Sequence, residues 1–537
     1  MTGRLLGRGR GISALIAAAA AAALLLSSCA SGTSADEAGS QRVSGESGLV
    51  GSQPDGGDPV SGGTLTFGSL GLPATLDPAR TTATGSTGGT EMAAVYDVLV
   101  RLDSESDEFK PQLAKGLSVS DDGLTWTLKL RDGVTFSNGE QLDADAVLWS
   151  INRYLSNKGA DTQLWSESVT EMSAPDDSTV LFTLSAPWAT FPNMLATGPG
   201  MIVAEQADEG EKFTPIGAGP FVLDEQKPNE SISLKRRAGY WDGDANLDSI
   251  LFLPATGGQQ QLEMFETGQL DMFFIVDAGI GAKVADADYP AYLNVMNAGN
   301  AVLINNAEGH PGADLRVRQA LIQAFDPVAF DERTQDGLGR PSVALFSSAS
   351  RWHSGAPDSQ YDPESARALL DAAKADGYDG KISFTTRQAP EAQARAVALQ
   401  AMLNAVGFDA EINYVNSVSD IIRVINVDKS YDLGQTGLNI RDSAPFLKLY
   451  SAFHSGSSAN ASGYSNSKMD ELLSSLKSAG TQEQTQSILD DVEALFTADV
   501  PTLPIAAQDN IVVWRPTVHG TSHSYADIML LGGAWIA

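Results

Sequence analysis

The sequence predicts an α/β fold with antiparallel additions in its first half, and three local patterns predict it. Residues 381–414 read as strand, helix and strand with short links, which implies a right-handed βαβ unit in a parallel sheet. Residues 116–131 alternate apolar and polar on either side of Asp121-Asp122-Gly123, the pattern of a β-hairpin. Helical stripes bounded by capping residues recur between such strands. No internal repeat appears at the spacing of a solenoid or propeller.

The elements follow in chain order. Thr64-Leu65-Thr66-Phe67 alternates and opens the folded part as a short strand. In the hairpin, Leu117 and Val119 face one way before the turn, and Leu124, Trp126, Leu128 and Leu130 alternate after it. Asp143 then stands where an N-cap should, with Leu142 and Val147 placed for a hydrophobic staple. Val147, Leu148, Ile151, Tyr154 and Leu155 form the buried stripe of that helix. A further helix is expected over about 314–325, ahead of Asp326-Pro327, and another begins at Asp362-Pro363 with Ala366, Leu369, Leu370 and Ala373 on one face and Gly377 behind it. In the βαβ unit, KISFTT (381–386) is the first strand and 391–406 the helix, with Leu399, Met402, Leu403 and Val406 on one face. Gly407 ends that helix, and Phe408, Ala410, Ile412 and Tyr414 alternate as the second strand.

The N-terminus carries a processing signal. Arg4, Arg8 and Arg10 form a positive region, and GISALIAAAAAAALLL (11–26) is an apolar run too short to span a bilayer comfortably. The one cysteine of the chain follows in the order Leu26-Ser27-Ser28-Cys29. That order resembles the lipobox of bacterial lipoproteins, in which the leader is removed and the cysteine thiol receives a diacylglyceryl group. Several acyl chains on one residue make a stable anchor. The expectation is a signal peptide at 1–28, lipidation at Cys29 and a protein held on the extracellular face of the cell membrane. Residues 29–62 are dominated by Gly, Ser, Asp and Glu, with little to pack, and read as a flexible tether.

Composition narrows the function. The 537 residues suggest two or three domains, and 67 acidic against 35 basic side chains give a net charge of −32. Such a field opposes nucleic acid and anionic lipid surfaces. After Cys29 no apolar run is long enough to cross a membrane. A large exported chain buries enough core to hold without disulfides.

Enzyme signatures are absent or incomplete. There is no G-x-S-x-G elbow, no H-E-x-x-H and no Walker A sequence. Ser465-x-x-Lys468 and Ser474-x-x-Lys477 match a loose S-x-x-K pattern without its companion motifs. Asp242-Gly-Asp244-Ala-Asn246 opens like a calcium loop, but Leu247 and Leu253 stand where that loop needs Gly and a bidentate Glu. His519 and His523 are four apart, separated by loop-forming residues and without a third ligand. No catalytic residue, metal or cofactor is assigned.

Eight segments in order resemble the extracellular solute-binding proteins of family 5, the receptors of ABC importers for peptides, nickel chelates and some oligosaccharides. The most specific is PQLAKGLSVSDDGLTWTLKLRDGVTFSNGEQLDADAVLWSINR (111–153). GGTLTFGSLGLPATLDPA and YDVLVRLD precede it, and GAGPFVL with LKRRAGYWDGDANLDSI, ETGQLDM, LRVRQALIQAFD, YDPESARALLDAAKADG and YSNSKMDELL follow. The resemblance implies a two-lobed periplasmic-binding-protein-like fold of the large type II class, with an extra inserted subdomain. Lobe I would be 63–301 with 506–537, the inserted subdomain about 91–212, and lobe II 302–505. Hinges would lie near Leu303-Ile304-Asn305 and Leu503-Pro504-Ile505. Such a receptor, by default a monomer, closes on a small-molecule, peptide or oligosaccharide ligand and docks on permease subunits served by a separate ATPase. An exported hydrolase and a sensor lipoprotein are the alternatives on the same fold.

Peptide-binding members of that family carry W-x-x-D-x-x-x-P, whose Asp pairs with the ligand's amino terminus. The matching stretch here runs from Gly437 to Pro445, and counting back from Pro445 puts Arg441 at the Asp position and Leu438 at the Trp position. An Arg there would favour a carboxylate, phosphate or carbonyl-rich ligand over an ammonium. A one-residue slip would return the role to Asp442. Asn439 would hydrogen-bond a polar ligand. Trp165, Trp188, Trp352 and Phe446 are the aromatic candidates, and Trp352 beside His353 in a Ser-rich loop is the favoured pocket pair.

Overall fold

The computed structural model describes residues 45–537 apart from 105, 210, 211 and 256, so the leader and Cys29 lie outside the described residues. Its centre is a mixed twelve-stranded sheet. The hairpin Phe221–Lys227/Ser231–Arg236 forms one end, followed by Ser249–Pro254, Thr64–Ser69 and Met272–Ile275. Two long strands, Ala291–Ile304 and Thr502–Trp514, then run antiparallel through the middle. Leu433–Thr436, Lys381–Arg387 and Asp409–Val415 complete the other end.

Lys381–Arg387 pairs in parallel with Asp409–Val415, and the Pro390–Val406 helix joins them, so the expected βαβ unit is present. Gly407 ends that helix at φ 106°, a value that favours glycine. The expected hairpin forms as Ala114–Val119 with Thr125–Leu130, and belongs to a separate four-stranded antiparallel sheet with Thr179–Leu184 and Val169–Asp176. Asp143 caps the Ala144–Ser156 helix by accepting a bond from the Ala146 N–H at 2.8 Å. Asp314 and Asp362 cap Leu315–Ala324 and Pro363–Ala375 in the same way.

Within the stretch read as tether, Gly48–Val50 pairs with Leu293, Tyr292 and Ala291 at the margin of the sheet. Leu49 and Val50 supply the β-propensity for this in an otherwise polar run. No helix among the described residues is long and apolar enough to cross a membrane.

Two main apolar cores flank the long strands. The first joins the N-terminal half to the C-terminal end, with Trp165, Trp188, Phe182 and Phe191 at its densest part. The second fills the region from Val302 to Leu433 together with Val500, Leu503 and Ile505. Residues 438–496 pack into the first core, not the second. Phe446 meets Trp188 edge-on at 5.7 Å, and Lys477 donates to the Ser168 hydroxyl at 2.7 Å. Trp165, Trp188 and Phe446 are therefore core side chains, each at most 3% exposed.

The pairing of the long strands is interrupted between Met296 and Asn300. Three residues bulge there, Ala298 takes φ 45°, and a side chain at Gly299 would run into Gln508. The bulge turns Asn297 toward Ile440, and the two exchange backbone hydrogen bonds of 3.0 Å. This fixes the loop that carries Asn439 and Arg441.

Candidate functional site

A cavity of about 690 Å³ opens beside that loop. Its walls come from the 82–87 loop, the start of the Thr162–Ser168 helix, the 438–459 segment, and Gln508, Asn510 and Tyr525 from the C-terminal part. Thr82, Thr84, Ser86 and Thr87 give one wall hydroxyl character, and Asp161 and Gln163 contribute polar groups opposite.

Arg441 lines the cavity and rests over Tyr525, with its guanidinium carbon 5.8 Å from the ring centre. Its Nη2 donates to Asp527 Oδ2 at 3.3 Å, whereas its Nε has no partner among the described residues. Asp527 is 3% exposed and also accepts from Asn294 Nδ2 at 2.6 Å and Asn510 Nδ2 at 2.9 Å. Burial opposes ionisation of Asp527, but His523, Arg441 and Asn510 outweigh it and hold the carboxyl well below the usual range. His523 stacks on Tyr292 at 3.6 Å between centroids, and burial lowers its pKa while Asp527 opposes that shift. Ala526 and Asp527 adopt φ 60° and 62°, a conformation costly for side-chain-bearing residues. Gly85 lies directly beneath, where any side chain would collide with the Asp527 carbonyl.

The sequence-predicted residues divide into two groups. Asn439, at φ 52°, and Arg441 line the cavity. Asp442, Trp352 and His353 do not belong to its lining, because they bond to one another's surroundings behind the loop. The Asp442 carboxylate accepts from Asn297 Nδ2 at 2.8 Å, Ser350 Oγ at 2.6 Å and the Arg351 N–H at 3.1 Å. Trp352 Nε1 donates to the Asp442 carbonyl at 2.8 Å, and His353 Nδ1 lies 3.1 Å from the Phe346 carbonyl. Together they brace the loop that presents Arg441.

Sequence reasoning missed Asp161 and Lys448. Burial raises the Asp161 carboxyl above its ordinary value, while the Tyr154 hydroxyl at 3.0 Å pulls it back. Nothing near Asp161 in the chain signals this. Lys448 was legible: Ala444, Leu447, Lys448 and Ser451 recur at helical spacing, and all four line the cavity. Phe446, Leu449 and Phe453 turn the other face of the Pro445–Phe453 helix into the core.

Among the described residues no cluster of three or more His, Cys, Asp or Glu is placed to hold a metal. His519 packs on Trp535 at 4.6 Å, and Asp244 accepts the Gly239 N–H in a turn.

The fold is a mixed α/β one with two main cores, and its cavity is lined by hydroxyl, amide and charged side chains. Residues 108–460 match the family described as bacterial extracellular solute-binding proteins, family 5 Middle. The chain belongs to that family. The glutathione-binding protein GsiB of Salmonella typhi is 28% identical over 439 residues, covering 77% of this chain and 83% of the relative. The binding protein DppA of Helicobacter pylori, solved with the peptide STSA, superposes with a TM-score of 0.75 at 21% identity, covering 89% of this chain and 98% of DppA. The oligopeptide-binding protein AppA of Bacillus subtilis, solved with a nonapeptide, gives 0.75 at 22% identity and covers 89% of this chain and 100% of AppA. The chain is thus the solute-binding component of an ABC-type importer.

Proposed function

We propose that the chain is a lipid-anchored receptor that captures a small, peptide-like solute bearing a carboxylate and delivers it to an ABC permease driven by a separate ATPase. The observation that carries this reading is Arg441 in the cavity wall, with a partnerless Nε and with Lys448 on the same wall. In a chain of net charge −32, this cavity is lined by two cationic side chains, Arg441 and Lys448, against one carboxylate, Asp161. The name of the GsiB relatives supports the class, since glutathione is a tripeptide with two carboxylates. No catalytic role is assigned to any residue.

Lobe I comprises 63–301 with 506–537, including the inserted subdomain at about 91–212, and lobe II lies within 302–505. Packing of 438–496 into the first core favours counting that segment with lobe I. Ligand contacting both lobes shifts the molecule toward its closed form.

The test uses protein refolded free of carried-over ligand and a thermal-shift panel of peptides, glutathione, oligosaccharides, chelates and organic acids. A binder at a hundredfold its Kd should stabilise the protein by about 2.7 kcal/mol. Arg441→Met keeps the side-chain length and should weaken carboxylate-bearing binders at least tenfold. Equal affinities for the two proteins would remove Arg441 from the site. The anchor has its own test: Cys29→Ala should move the protein from the membrane fraction to the medium, and unchanged retention would refute lipidation there.

A further inference from the structure

A second cavity of about 290 Å³ adjoins the main one. Leu438, Lys448, Ser451 and Ala459 line both spaces, so Lys448 stands at their junction. Its ammonium has no hydrogen bond or ion pair among the described residues, and burial beside Arg441 lowers its pKa below the ordinary lysine value. Lys448 is partly exposed, so its ammonium is open to an acidic group of a ligand.

The far wall of the second compartment has a different chemistry. Leu303, Ile421, Ile422 and Ile425 contribute aliphatic surface to it. Ile422 is 50% exposed, so its side chain is accessible from this space. Ile425 sits on the π-helical turn Arg423–Val427, and such turns are rare and recur at functional sites.

We infer that the chamber is bipartite and that its solute is an amphipathic anion, with an acidic group held at Lys448 and an alkyl or aryl group beyond it against Leu303, Ile421, Ile422 and Ile425. The inference rests on the reading that the cavity binds a carboxylate-bearing solute, and adds that the solute has an apolar end. Lys448 and the aliphatic wall lie side by side at this junction of the two spaces, and the solute spans it.

The experiment compares matched probe pairs on ligand-free protein by calorimetry: glutathione with S-hexylglutathione, N-acetyl with N-octanoyl amino acids, and alanyl-alanine with alanyl-phenylalanine. The apolar member of at least one anionic pair should bind tenfold or more tightly. Ile422→Asp should erase that difference, and being half exposed the position tolerates the change without unfolding. Lys448→Met should weaken both members of the pair. Anionic binders that gain nothing from the apolar group would overturn the bipartite chamber and leave the carboxylate reading standing. A panel in which only neutral or cationic probes bind, or none, would overturn both.

Discussion

Asp527→Asn should destabilise the protein by about 3–5 kcal/mol at pH 7, the usual consequence of breaking a buried ion pair from one side. Asn is the informative replacement because it tolerates the left-handed backbone at φ 62° and keeps the shape of the side chain. What it removes is the charge that balances Arg441 and the Oδ2 acceptor shared by Arg441 and Asn510, while Oδ1 can still accept from Asn294. Urea denaturation at pH 7 reads the effect, and a change below about 1 kcal/mol would show that Arg441 has another counter-charge. The pH dependence has a definite sign. The folded-state pKa of Asp527 is depressed, so its stabilisation is present above the unfolded value near 3.8 and is lost as pH falls through the folded one. The Asn variant lacks that acid-side loss.

Glu91→Gln should abolish a loss of stability that the native protein suffers as the medium turns from acidic to neutral. Glu91 is 1% exposed on the Gly89–Tyr96 helix, and burial raises its carboxyl to about 7, against small opposing effects of its backbone and of the Ser69 hydroxyl at 2.9 Å. Because the folded pKa is raised, the native state holds more protons than the unfolded chain between about 4.5 and 7. Stability is therefore full below pH 4.5 and falls by about 3 kcal/mol as pH rises to 7, at 1.36 kcal/mol per unit. The difference between native and variant curves isolates this one group, since all other titrations are common to both. Parallel curves from pH 4 to 8 would mean that Glu91 stays ionised throughout.

The parts of the fold that were legible are those written in adjacent residues. Asp143, Asp314 and Asp362 announce helix starts because an Asx side chain reaches the N–H groups two or three positions on. The βαβ unit shows through the switch of period between 381 and 414. Residues 438–496 were harder, because nothing local reveals that the Phe446 face packs on Trp188 rather than on the preceding βαβ unit. The site follows the same division. Arg441 and Asn439 emerged from spacing relative to Pro445, whereas Asp527 reaches Arg441 across 86 positions and carries no glycine to advertise its backbone. Trp352 donates to the Asp442 backbone carbonyl across 90 positions, a bond that nothing local in the sequence reveals.

The membership of 438–496 in the first core bears on the sequence of events during capture. Arg441, Lys448, Asp161 and the 82–87 hydroxyls all ride on that core, whereas Ile421, Ile422 and Ile425 ride with the segment beyond it. A receptor whose halves part along this boundary keeps its whole charge-reading surface intact while open. Selection by charge would then come first, through close contacts to Arg441 and Lys448 made against the long-range repulsion of a chain of net charge −32. Selection by shape would come second, when the aliphatic wall swings in and the dwell time of the solute is decided. Salt, by screening that repulsion, should accordingly speed the arrival of an anionic solute, and wall substitutions should hasten its departure.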